Sequence, residues 1–105
     1  MIRNAKRKGS RNEHKTIRRL EQMGYRCTRA AGSLGEFDIV AIGRHDIRLV
    51  QVKSNCFPGP AERETIELVP APVNAIKELW RWDDHARAPR IREWVGGKWI
   101  ERVSA

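Results

Sequence analysis

Cysteine, tyrosine, phenylalanine and uninterrupted apolar stretches are all scarce in this chain of 105 residues, and each scarcity removes a class of protein. The two cysteines, Cys27 and Cys56, cannot build a disulfide framework and are expected to be reduced thiols, Cys27 as a core residue on its strand. No apolar run approaches the roughly 18 residues that a membrane span requires. The basic start MIRNAKRKGS is not followed by the apolar segment of a secretion signal, so a cytoplasmic protein is expected. The three histidines, His14, His45 and His85, have no ligand spacing with one another or with the cysteines, which argues against structural zinc. There is no internal repeat, and the length leaves room for one domain with one modest core.

Acidic residues are also scarce where the chain begins. Residues 1–29 hold ten Lys and Arg against Glu13 and Glu21, whereas residues 30–105 hold eleven of each sign, so the whole net charge of +8 sits in the first 29 residues. A one-sided positive field suits a polyphosphate partner, because neutralising phosphates releases condensed counterions. Nucleic acid is the expected partner.

Residues 1–9 read as a flexible basic arm ended by Gly9, preceding a single domain over 10–105. Ser10 with Glu13 three residues later has the pattern of a capping box, and Gly24 is placed to stop the helix that follows. On that helix Glu13, Ile17, Leu20 and Gly24 share one stripe while Arg11, Lys15 and Arg18 lie opposite, which turns Glu13 toward the core. Tyr25–Ala30 alternates like a short strand, and the glycines and serine of residues 31–35 predict a loop. Two apolar strands follow, Phe37–Ile42 and Ile47–Lys53, joined by the tight turn Gly43-Arg44-His45-Asp46. A symmetric turn pairs Ile42 with Ile47 and therefore sets Asp38 opposite Gln51, with Lys53 pointing to the same face. Apolar strands that turn polar at one end need partners or a purpose for those side chains.

The second half is predicted as a short helix over Ala61–Leu68, broken by Pro70 and Pro72. A strand over Ala75–Trp82 comes next, although helical spacing also fits there, and then a hairpin of Arg90–Val95 and Lys98–Val103 around Gly96-Gly97. The four tryptophans, Trp80, Trp82, Trp94 and Trp99, are expected in the core or at a dimer seam.

Three stretches then carry a resemblance: Lys8-Gly9-Ser10 with Glu13, the run Arg29 to Val40 containing Ser33 and Asp38, and Leu49-Val50-Gln51-Val52-Lys53-Ser54. In this order they resemble the PD-(D/E)xK nuclease core and, within it, the archaeal-type Holliday-junction resolvases and their phage-borne relatives. The resemblance covers about residues 8–55 and implies a restriction-endonuclease-like α/β fold. In such a fold a central mixed β-sheet is flanked by helices, and an N-terminal helix precedes a three-stranded meander and a C-terminal β-hairpin.

It further implies an endonuclease with Mg²⁺ or Mn²⁺ near Glu13, Asp38, Gln51 and the Val52 carbonyl. Lys53 would position or deprotonate the attacking water, and Ser33 would lie near the scissile phosphate. Lys6, Arg7, Lys8, Arg11, Lys15, Arg18 and Arg29 are the expected DNA contacts. The chemistry is coherent on its own terms, since phosphodiester hydrolysis needs a cation on the phosphate and hard oxygens are what Mg²⁺ prefers. Cutting two strands of a four-way junction needs two sites, so a homodimer without membrane or small-molecule cofactor is expected, in the host cytoplasm if a phage encodes the chain. Gln51 departs from the pattern, an amide standing where the motif has an acid. An ordinary duplex nuclease and a non-catalytic DNA- or RNA-binding module are the competing expectations.

Overall fold

The computed structural model describes residues 2–30 and 36–102, with side chains from residue 9 onward. Helix α1 (Ile2–Gln22) leads into strands β1 (Arg26–Arg29), β2 (Ile39–Ile42) and β3 (Ile47–Ser54). Helix α2 (Pro60–Leu68) then precedes β4 (Ala75–Trp82), β5 (Arg90–Val95) and β6 (Lys98–Arg102). The six strands form one sheet in sequence order. Every neighbouring pair is antiparallel except β3 and β4, which run parallel because α2 carries the chain back between them. This is the mixed sheet, meander and terminal hairpin predicted above.

The start of α1 differs from expectation. The helix begins at Ile2 and runs through Gly9 and Ser10, so the stretch read as an arm is helical and Ser10 does not cap. A glycine inside a helix costs about 1 kcal/mol relative to alanine, and the Ala, Lys and Arg around it are good enough helix formers to carry the helix through. The far end behaves as predicted. Gly24 has φ 98°, its N–H donates to the Glu21 carbonyl at 3.0 Å, and the Tyr25 N–H donates to the Leu20 carbonyl at 3.0 Å, which is a Schellman ending.

A second glycine is fixed by close approach. A Cβ on Gly43 would sit 2.5 Å from the Tyr25 ring, whose hydroxyl donates to Asp46 at 2.6 Å across the β2–β3 turn.

Each face of the sheet has its own core. On one side Leu20 of α1 packs with Ile39, Ala41, Val50, Trp80, Trp82 and Ile91, with Cys27 half-buried against them. On the other, Ile66 of α2 packs with Phe37 and Leu79, flanked by Leu49, Phe57 and Trp99. Trp80 and Trp82 are thus core residues, while Trp94 and Trp99 pair at 5.1 Å on the terminal hairpin. On β4 a charge is also buried: Glu78 is fully enclosed and bonded by Arg48 at 2.9 Å, Trp80 Nε1 at 3.0 Å and Arg102 at 3.3 Å.

Five hydrogen bonds fix how the helices meet the sheet. Trp82 Nε1 donates to Thr16 Oγ1 at 2.8 Å, and Asn12 Nδ2 donates to Ser54 Oγ at 2.6 Å, which sets α1 across the end of β3. Lys77 Nζ donates to the Glu67 and Val69 carbonyls at 2.9 and 2.7 Å, closing the C-terminal end of α2, and Trp99 Nε1 reaches Glu67 at 2.8 Å. Glu13 on α1 and Glu62 on α2 are thereby held beside the same end of β3. Among the described residues no helix is long and apolar enough to cross a membrane.

Candidate active site

β3 outruns its neighbour. The β2–β3 ladder has the expected register, Ile42 against Ile47, but ends at Ile39 against Val50, while β3 continues to Ser54 alongside β4. Asp38 lies just before β2, in a bend. Its N–H donates at 2.9 Å to the carbonyl of Val50, the residue already paired with Ile39, which gives the two-against-one pattern of a β-bulge. Its Oδ2 accepts the Val52 backbone N–H at 2.8 Å, replacing the carbonyl that β2 no longer supplies. Asp38 is therefore not the cross-strand mate of Gln51 that simple register predicts. The bend moves its carboxylate onto the β3 backbone.

Gln51 is 7 % exposed and faces α2. Its Nε2 donates to Glu62 Oε2 at 3.0 Å, while its Oε1 is buried with no hydrogen-bond partner. Turning the amide over would set Oε1 against the Glu62 carboxylate, two acceptors facing each other, so Glu62 fixes the orientation and with it the orphaned oxygen. Lys53, two residues on, reaches the same Glu62 with Nζ at 3.3 and 3.5 Å. Glu13 approaches from α1, where its Oε1 accepts both Nε and Nη2 of Arg29 at 2.9 and 2.7 Å.

These groups share one field. The carboxyl of Asp38 titrates above the ordinary aspartate range, first because it is desolvated and then because Glu13 and Glu62 repel its charge, while the Val52 N–H and Lys53 work the other way. Asp38 feels the charges of Glu13, Lys53 and Glu62, while Gln51 and Lys53 both donate to Glu62, a residue that the sequence reading missed. The one available signal was that Glu62 stands a helical turn before Ile66, the buried residue of α2.

A divalent metal fits this chemistry. Among the described residues no three His, Cys, Asp or Glu form a ready-made ligand cluster, but two hard oxygens stand near the end of β3, Asp38 Oδ2 held on the Val52 N–H and Gln51 Oε1 on the preceding residue. A buried amide oxygen without a donor is what a cation would satisfy.

Among solved structures, one that this architecture resembles can be named. It is the 1.6 Å structure of Archaeoglobus fulgidus Hjc, a Holliday junction resolvase from an archaeal hyperthermophile, with a TM-score of 0.67 and 24% identity over 80% of this chain and 70% of that one. The chain has the Hjc fold. No protein-family model matches the sequence, and no curated protein does.

On this Hjc-like scaffold the basic residues divide. Arg11, Lys15 and Arg18 are exposed along the outer face of α1. Lys15 also lies 5.2 Å above the Trp82 ring, in a shallow basic cleft shared with Arg18, Arg19 and Arg87. Arg19 and Arg87 were not anticipated, because only the folded chain brings the loop after β4 back to α1. Arg29 is engaged by Glu13 instead of standing free for phosphate. Lys6, Arg7 and Lys8 lie on α1 with side chains outside the described set, and Ser33 lies outside the described residues altogether.

Proposed function

We propose that this chain is a metal-dependent endonuclease that hydrolyses phosphodiester bonds in branched DNA, four-way junctions above all, working as a homodimer. The observation that carries the reading is the buried, unpartnered Gln51 Oε1 on the residue before Val52, whose N–H holds the Asp38 carboxylate, in a resolvase-like fold. Asp38, Gln51 Oε1, the Val52 carbonyl and Glu13 would hold Mg²⁺ or Mn²⁺. When bound, the ion supplies charge neutralisation on the phosphate and an acidified water.

The remaining work falls to the protein. Lys53, a third exposed and steered by Glu62, orients the attacking water. Asp38, bonded to the β3 backbone, cannot swing away from the site. Arg11, Lys15 and Arg18 present charge to the DNA backbone, and two copies supply the two cuts that a junction requires.

The test compares wild type with Asp38→Asn on a four-way junction, linear duplex and single strand, with and without Mg²⁺. Junction cleavage by the wild type alone, with junction binding kept in the variant, is the expected result. Equal cleavage of linear duplex rejects the junction preference. Binding without cleavage under either metal rejects the enzyme and leaves a DNA-binding module.

A further inference from the structure

The geometry points to Glu62 as a carboxylate ligand of the metal site, delivered by α2 in place of the acid that β3 lacks at position 51. The assignment rests on the metal-dependent reading above and concerns which residue carries the missing charge.

Two observations support it. The first is the orphaned Gln51 Oε1, buried in a residue only 7 % exposed. Leaving a buried acceptor unmade costs about 1–3 kcal/mol. The second is that both polar side chains at the end of β3 turn to one carboxylate, Gln51 at 3.0 Å and Lys53 at 3.3 Å. Glu62 is also close enough for its charge to be felt at Asp38.

A glutamate in the first turn of a helix is favoured by the helix dipole, which accounts for an acid at this position. It does not account for both polar side chains at the end of β3 turning to this one carboxylate. Nor is Lys53 enough to explain the geometry, since a lysine that only needed a counter-ion would not need the amide to share it.

Charge completes the argument. Hard divalent cations are held by carboxylates, and their affinity follows the number of charges in the site. From the sheet only Asp38 contributes one, and Glu13 is drawn to Arg29 through two short bonds. Glu62 answers a neutral amide and one partly exposed lysine, and its side chain is 46% exposed, so its oxygens can serve an ion without stripping a buried cation of its partner. Moving the carboxylate from strand to helix thus keeps the charge of the site while changing the element that carries it.

The test is Mn²⁺ binding by the full chain, followed by electron paramagnetic resonance of the free ion, in wild type, Asp38→Asn, Glu62→Gln and the double variant Gln51→Glu/Glu62→Gln. Glu62→Gln is expected to weaken Mn²⁺ by about tenfold, and the double variant, which returns a carboxylate to position 51, to recover to within about threefold of wild type. Circular dichroism checks that each variant is folded. Unchanged Mn²⁺ affinity in Glu62→Gln, with Asp38→Asn having lost it, overturns the assignment of Glu62 and leaves the metal reading standing. A double variant no tighter than Glu62→Gln also overturns the exchange. If the wild-type chain binds no Mn²⁺, the metal reading fails, and the assignment with it.

Discussion

The Asp38 carboxylate accepts the Val52 backbone N–H at 2.8 Å, so the residue read as catalytic also finishes the sheet where β2 stops. One hydrogen bond serves two purposes. It satisfies a backbone donor that would otherwise be left unpaired, and it fixes a carboxylate between Glu13 and Glu62, whose charges it resists.

That placement has a cost that can be measured. Burial raises the carboxyl pKa of Asp38 above its unfolded value, so the folded chain holds the proton more tightly than the unfolded one. Stability then falls as pH rises from the unfolded value through the folded one, and at neutral pH the ionised group opposes folding. Asparagine keeps an oxygen for the Val52 N–H and removes the charge. Asp38→Asn should therefore raise Tm by a few degrees at pH 7 in EDTA and abolish cleavage. The gain should vanish once the pH falls below the ordinary aspartate range, about 3.9. A lower Tm for the variant at pH 7 would contradict this account.

The register of the first hairpin was legible because Gly43-Arg44-His45-Asp46 could only be a short turn and the strands beside it are apolar, which leaves one in-phase pairing. The end of that pairing was not legible, since the bend at Asp38 depends on β3 continuing beside β4 through long-range contacts. The pattern Ser10 to Glu13 looked like a helix start, yet the stretch before it has ample helix propensity and the helix runs through it. Glu62 and the Glu13–Arg29 pair were invisible for another reason. Each joins elements whose relative placement comes from the core, with Ile66 seating α2 and Leu20 seating α1.

Gln51→Glu tests the electrostatics of the site directly. The amide N–H that now donates to Glu62 would become a second carboxylate facing it. In EDTA this variant should melt below wild type, and addition of Mg²⁺ should raise its Tm by more than it raises that of wild type, because the ion relieves the repulsion. The Mg²⁺ concentration for half-maximal cleavage should fall. A higher requirement in this variant would place Gln51 outside the metal's ligands.

The buried pair of Arg48 and Glu78 offers a stability prediction independent of function. Arg48→Met takes from the enclosed Glu78 its nearer cation, bonded at 2.9 Å, leaves Arg102 at 3.3 Å, and should destabilise the fold by at most about 3–5 kcal/mol in urea denaturation. Desolvation already pushes the Glu78 carboxyl above the ordinary glutamate range, so part of the loss should return at acidic pH as that group takes up a proton. The double variant Arg48→Met/Glu78→Leu should recover most of the stability. The Trp80 indole N–H, now bonded to Glu78 at 3.0 Å, would lose its acceptor and keep the recovery incomplete. A double variant as unstable as Arg48→Met would show that packing, not the uncompensated charge, sets the cost.

The basic face of α1 should register in salt dependence more than in chemistry. Arg11 and Arg18 are exposed on the side of the helix opposite Leu20, and neither touches Asp38, Gln51 or Lys53. If each neutralises one phosphate, removing both by Arg11→Ala/Arg18→Ala should lower the slope of log affinity against log salt by about 1.8 for duplex arms, at about 0.9 per contact. Single-turnover cleavage of saturating junction DNA should stay close to wild type, because the lost contacts position the backbone and do not touch the scissile bond. The neighbouring first turns can be tested in the same way. Deleting residues 1–8 removes Arg3, Lys6, Arg7 and Lys8 and should lower the slope by up to about 3.6 per chain. An unchanged slope in both variants would move the DNA off this face of α1.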